Sequence, residues 1–156
     1  MAFAREVAEQ TGVTGQQIVL SNELLPTTED TKAMQFDQEI DGYSVLGSYM
    51  KVFTRQSDGA VYYIANETMP LNQVDTQINY SLNQAQETVL NKFKSKQGVK
   101  IESATEKPVL YPMGSHHAEL VWQMQVGIQG PLLDRRDILV SAKTGQIVRD
   151  ITMIKQ

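Results

Sequence analysis

An α+β fold is predicted by three observations. Residues 34–64 alternate apolar and polar side chains and are punctuated by Asp-Gly pairs. Ser81 to Gln84 opens an amphipathic helix, and after Gly98 strand patterns recur to the end of the chain. Strands, helix and strands without a parallel βαβ unit is the order in which helices cover one face of antiparallel sheets. The expected architecture is two small modules, residues 1–78 and 79–156, each a helix packed on an antiparallel sheet.

Phe3-Ala4 and Val7-Ala8 recur at helical spacing, and Gly12 lies where a helix stops, so the chain opens on a short helix. Pro26 to Thr31 is polar and reads as a loop. From Met34 the period becomes two: Met34, Phe36 and Ile40 alternate with Gln35, Asp37 and Glu39, and Asp41-Gly42 supplies a turn. In the next strand Tyr49, Lys51 and Phe53 face one way and Met50 and Val52 the other. Asp58-Gly59 is a second hairpin signal, because both residue types tolerate the positive φ that primed turns need. Val61-Tyr62-Tyr63-Ile64 completes a three-stranded meander.

Ser81-Leu82-Asn83-Gln84 has the form of a capping box, in which Ser81 accepts from a free amide of the first turn and Gln84 reaches back. Leu82, Ala85, Val89 and Phe93 then form one stripe, and Gly98 is placed to end the helix. Val99–Ala104 and Pro108–Tyr111 read as strands. Leu120, Trp122, Met124 and Val126 line one face of another. Ile138-Leu139-Val140 follows the Gly130-Pro131 turn, and Lys143-Thr144-Gly145 turns the chain into Ile147-Val148.

The 156 residues hold 14 Lys plus Arg against 18 Asp plus Glu, a net charge of −4. With 41% hydrophobic and 21% charged residues the composition is that of an ordinary globular chain. A pI near 5.2 argues against binding to nucleic-acid phosphates, which takes dense Lys and Arg. No apolar run reaches the roughly 18 residues of a membrane span. Charge is uneven: residues 1–78 carry a net −7 and residues 79–156 a net +3. Either two modules or one positive face toward an acidic partner would produce this, and so would solvated faces that merely differ.

Cysteine is absent, which removes disulfides, thiol catalysis and thiolate metal sites. The opening Met1 to Glu6 lacks the basic start and apolar core of a signal peptide. His116-His117 is the one histidine pair; neighbours on an extended strand point to opposite faces, so an exposed turn is the expected role rather than a shared metal. Asp134-Arg135-Arg136-Asp137 reads as a solvated hairpin tip in preference to an acid/base pair or anion site. Tyr62-Tyr63 and Trp122 have the rings to stack a base or a sugar, but Trp122 is expected in the core. No catalytic, cofactor-binding or metal-ligating motif emerges, and the chain is expected not to be an enzyme.

Two segments carry a family resemblance. Phe36 to Gly47, with an aromatic and a Gln ahead of a Gly and then Val45-Leu46-Gly47, followed by a strand ending at Asp58-Gly59, resembles the fungalysin/thermolysin propeptide motif. The helix beginning at Tyr80-Ser81 matches that family's next element. Leu120 to Val126 is similar to the Leu-x-Tyr/Trp strand of a PepSY domain, and Ile138 to Ile147 to its closing hairpin. Ser141 stands where PepSY domains usually have Asp, a weaker cap for the turn.

The order and spacing of both segments over residues 34–152 resemble the propeptide of secreted thermolysin-like zinc metallopeptidases. That resemblance implies a non-catalytic intramolecular chaperone and active-site inhibitor. Its partner would be the peptidase catalytic domain, which would hold the zinc, so this chain would need no cofactor. A chain ending just after the last PepSY strand would be a propeptide cut from its enzyme, secreted or in the cell envelope. The alternative is a stand-alone secreted or cell-envelope PepSY-type module that binds some other protein. The tail from Ile151 alternates in the manner of a strand that adds to a sheet edge, or of a final strand packed on its own domain. Ile154, Lys155 and Gln156 are therefore the expected partner contacts.

Overall fold

The computed structural model describes residues 2–24 and 30–153. Two helices and antiparallel strand pairing make the chain α+β. Contacts divide it into two compact units: Met1–Gln73 with Gly114–His116, and Val74–Met113 with His117–Gln156. Residues 74–78, grouped with the first module by sequence, fall in the second unit.

In the first unit α1 (Ala2–Gln10) turns Ala4 and Ala8 inward. It stops where the Thr11 and Val13 amides both donate to the Ala8 carbonyl. A 3-10 turn at Gly15–Gln17 leads into β1 (Ile18–Leu24), a strand that the sequence pattern did not announce. β1, β2 (Thr31–Ile40), β3 (Tyr43–Arg55) and β4 (Val61–Asn66) then pair in sequence order, all antiparallel. Asp41 and Gly42 both take positive φ, 53° and 81°, which is the primed turn that this dipeptide favours. The expected loop at Pro26–Thr31 falls largely on residues 25–29, outside the described residues, and Thr31 already belongs to β2. The core gathers Ala4, Ala8, Val13, Ile18, Phe36, Met50 and Val52, so the Met50 and Val52 side of β3 is the one that faces inward.

β5 (Gln73–Asp75) falls at the division between the units. The second unit is built around β8. α2 (Leu82–Lys92) begins with both bonds of the capping box in place: Ser81 Oγ accepts from Gln84 N at 3.2 Å, and Gln84 Oε1 from Ser81 N at 2.8 Å. The helix ends at Phe93, five residues before the Gly98 expected to stop it. β6 (Val99–Ala104) and β7 (Val109–Pro112) share one edge of β8 (His117–Ile128), β6 opposite Met124–Ile128 and β7 opposite Ala118–Val121. β9 (Asp134–Ser141) takes the other edge, and β10 (Ile147–Thr152) pairs with β9. The register sets Trp122 opposite Val140 and Met124 opposite Ile138, all buried, as are Ala85, Val89 and Phe93 of the helix stripe.

The β9–β10 turn anchors the segment that enters α2. The Asn79 and Tyr80 amides both donate to the Ala142 carbonyl, and Lys143 Nζ lies 2.7 Å from Asp75. Trp122 Nε1 donates to the Tyr80 carbonyl at 2.8 Å. Gly145 combines φ +74° with a position where a Cβ would lie 2.7 Å from the Tyr80 ring, so only glycine fits. Ser141 Oγ accepts from the Lys143 and Thr144 amides at 3.2 and 3.1 Å, the capping role expected of it.

Candidate functional site

One end of the second unit leaves a group of apolar side chains in water. The β8–β9 ladder closes at Ile128 opposite Asp134. The connection between them holds Gly130 and Pro131, and a proline cannot donate to a ladder. Leu132 and Leu133 therefore project from the tip, 86% and 59% exposed. Beside them runs the end of β10, where Ile151 faces Asp137 and Met153 N donates to the Arg135 carbonyl at 2.7 Å. Ile151 and Met153 are 47% and 37% exposed. Single exposed apolar residues are ordinary, whereas a contiguous group of them is the feature that distinguishes interaction sites.

Charged side chains brace the strands that carry this cluster. On the α2 side Asp150 accepts from Lys92 Nζ at 2.6 Å and Arg136 Nη1 at 3.1 Å. Arg136 also donates through Nε and Nη2 to Asp134, both at 3.1 Å, and its guanidinium lies 5.1 Å from the Phe93 ring centre. Burial pushes the Asp150 carboxyl up, but Lys92 and Arg136 outweigh it and hold the group below the ordinary carboxylate value. The hydrogen bond to Asp134 raises Arg136 above its usual value. On the opposite face Asp137 is 2.6 Å from Arg149 and accepts from Gln123, while Arg135 is 3.3 Å from Glu102.

Asp134-Arg135-Arg136-Asp137 is thus no solvated tip. It is the first half of β9, with successive residues sent to alternate faces: Arg136 and Asp137 are tied to β10, Arg135 to β6, and Asp134 to Arg136 of its own strand. These ion pairs hold β9 to β10, and β10 to α2. The tip before β9 is what reasoning from sequence missed: Leu132-Leu133 follows a Gly-Pro turn, and two leucines in a turn were the available signal.

The other candidates are dispersed. His116 is exposed at φ +59°, with Nδ1 2.7 Å from the Pro70 carbonyl oxygen; His117 opens β8 and pairs with Glu119 at 3.2 Å. Among the described residues no group of three or more His, Cys, Asp or Glu is placed to hold a metal ion. Trp122 is a core residue, 7% exposed. Tyr62 and Tyr63 are exposed in β4 and lean on Phe53, with ring centres 6.4 and 5.6 Å apart. Ile154, Lys155 and Gln156, expected from sequence to touch a partner, lie outside the described residues. No helix among the described residues is long and apolar enough to cross a membrane.

No protein-family profile matches the chain, and no curated protein sequence matches it. Solved structures similar to it include the Bacillus megaterium YpeB C-terminal domain, at 13% identity and a TM-score of 0.47. The match covers 99% of this chain and 64% of that one, so this chain spans less than two thirds of its length.

Proposed function

We propose that this chain is a non-catalytic protein-binding module, and that the protein it binds is the catalytic domain of a thermolysin-like zinc metallopeptidase whose propeptide it forms. The observation that carries the binding role is the exposed group Leu132, Leu133, Ile151 and Met153 at one end of the second unit. Burying a leucine side chain is worth about 1.5–3 kcal/mol, so the two at the tip would contribute several kcal/mol to a complex. The peptidase as partner rests on the resemblance of residues 36–59 and 120–147 to the two propeptide motifs.

In this role the module binds the near-native catalytic domain in preference to its unfolded chain and raises the folded population by mass action. It inhibits by keeping the cleft occupied: Ile154, Lys155 and Gln156 follow β10 and reach the partner. It carries no cofactor; the zinc belongs to the catalytic domain. The secretory route or cell envelope is the corresponding location.

Titrating a thermolysin-like metallopeptidase with the purified chain tests this. Activity is expected to fall as the chain approaches equimolar amounts. Removing Ile154–Gln156 is expected to weaken the inhibition. Full activity at a large molar excess of the chain overturns the peptidase as partner. The free-standing PepSY-type module, which binds a different protein through the same surface, is then the reading that holds.

A further inference from the structure

We propose that the outer edge of β10 is where the partner docks, by adding an extended strand of its own to the sheet. This rests on the protein-binding reading and specifies the kind of contact. The Met153 amide donates to the Arg135 carbonyl, which makes Met153 and Arg135 a hydrogen-bonded pair of the β9–β10 ladder. Such pairs alternate along an antiparallel ladder, so Ile151 and Arg149 also turn their backbone groups toward β9. Asp150 and Thr152 turn theirs outward, and among the described residues no partner strand lies beyond them.

Exposed strand edges are commonly blunted by charged side chains, lysine above all, by proline or by a bulge. β10 has its bulge at Val148, between the Ile147–Val140 and Arg149–Leu139 pairs, and this protects only the first half. The second half, Asp150 to Met153, has neither lysine nor proline, its one charge, Asp150, is paired with Lys92 and Arg136, and Met153 bonds to Arg135, two residues along the chain from Leu133.

The surroundings specify the incoming strand. Ile151 and Met153 share a face and are exposed, so the partner strand is apolar at every second position on that side. On the other side the Asp150 carboxylate is already matched by Lys92 and Arg136, so this edge asks for no countercharge. Main-chain bonds would supply affinity, and alternate side chains specificity.

The test compares four proteins for inhibition of a thermolysin-like metallopeptidase, with melting temperatures alongside: wild type, Thr152→Pro, Thr152→Val, and the double variant Leu132→Ser with Leu133→Ser. Proline at 152 deletes the outward amide and leaves the bond from Met153 to Arg135 available. Thr152→Pro is expected to melt within about 2 °C of wild type and to inhibit roughly tenfold less well, the equivalent of one strong hydrogen bond. Thr152→Val keeps the amide and is expected to inhibit like wild type.

Should Thr152→Pro melt early, amide exchange at Thr152 in the wild-type chain is the deciding measurement, with slowing on complex formation expected. Undiminished inhibition by well-folded Thr152→Pro, or unchanged exchange at Thr152, overturns strand addition. If the leucine variant alone loses inhibition, strand addition falls and the protein-binding surface stands. If wild type inhibits nothing, the peptidase reading falls and strand addition by this enzyme falls with it.

Discussion

The side-chain amide of Gln38 holds both backbone polar groups of Met69: Nε2 donates to the Met69 carbonyl at 2.8 Å, and Oε1 accepts from the Met69 amide at 3.0 Å. Nε2 also donates to Gln17 Oε1 at 2.9 Å, and Ser48 Oγ donates to Oε1. Gln38 is wholly buried, and all four of its hydrogen-bonding positions are filled. One amide therefore ties the turn before β1, the irregular part of β3 and the segment after β4 to β2. Gln38→Leu would keep the volume and strand Met69's two groups. A loss of about 3 kcal/mol in urea unfolding is expected, since each buried group left unpaired costs about 1–3 kcal/mol. A loss below about 1 kcal/mol would mean that water or a shifted backbone replaces the amide.

Trp122 combines burial with a bond from Nε1 to the Tyr80 carbonyl. Trp122→Ala is expected to cost about 3–5 kcal/mol. Trp122→Phe retains the packing and loses the bond, so its cost should be nearer 1 kcal/mol, roughly that of one hydrogen bond. Equal stability of the two variants in denaturant titration would contradict this division.

The Asp150 carboxyl sits below its ordinary pKa, with burial opposing and Lys92 and Arg136 prevailing. A carboxyl depressed in the folded state stabilises the fold above its unfolded pKa, and that contribution disappears as pH falls through the folded value. Asp75 behaves likewise, held down by Lys143. Stability is therefore expected to fall below about pH 4, and Asp150→Asn should lower stability near neutrality while flattening the acid slope. Unfolding free energies of both chains at a series of pH values check this; parallel curves would contradict it.

Ser141→Ala removes the acceptor for the Lys143 and Thr144 amides. Loss of such a cap costs about 1 kcal/mol. Thermal melting should therefore drop by roughly 2–4 °C for a chain of this size. An unchanged melting temperature would mean that the turn is held by its backbone bonds from Ser141 N to Gln146 O and Gly145 N to Ser141 O alone.

Local signals in the sequence were sufficient where one residue pair decides the geometry. Asp41-Gly42 specified its turn, Ser81 and Gln84 specified the start of α2, and the alternation from Tyr49 to Phe53 separated the two faces of β3. β1 was illegible because Ile18, Val19 and Leu20 are consecutive apolar residues and the bulge after Leu20 breaks the period. The end of α2 was misplaced because Gly98 is a good stop, whereas the helix ends earlier, at buried Phe93. Asp134 to Asp137 looked like a solvated tip because pairing across strands is a tertiary fact that four adjacent charges do not reveal. The apolar tip was hidden for a related reason: a leucine pair reads as core until the hairpin around it is placed.

The central claim is that the exposed end of the second unit binds a protein. Inhibition of a thermolysin-like metallopeptidase by the chain carrying Leu132→Ser and Leu133→Ser tests it most directly, with wild type as reference. Exposed positions tolerate such changes within about 0.5 kcal/mol, so the melting temperature should hold. Inhibition weakened at least about tenfold at unchanged stability is expected, the loss of about 1.4 kcal/mol or more of binding. Equal inhibition by the two chains would contradict it and move the binding surface elsewhere on the protein.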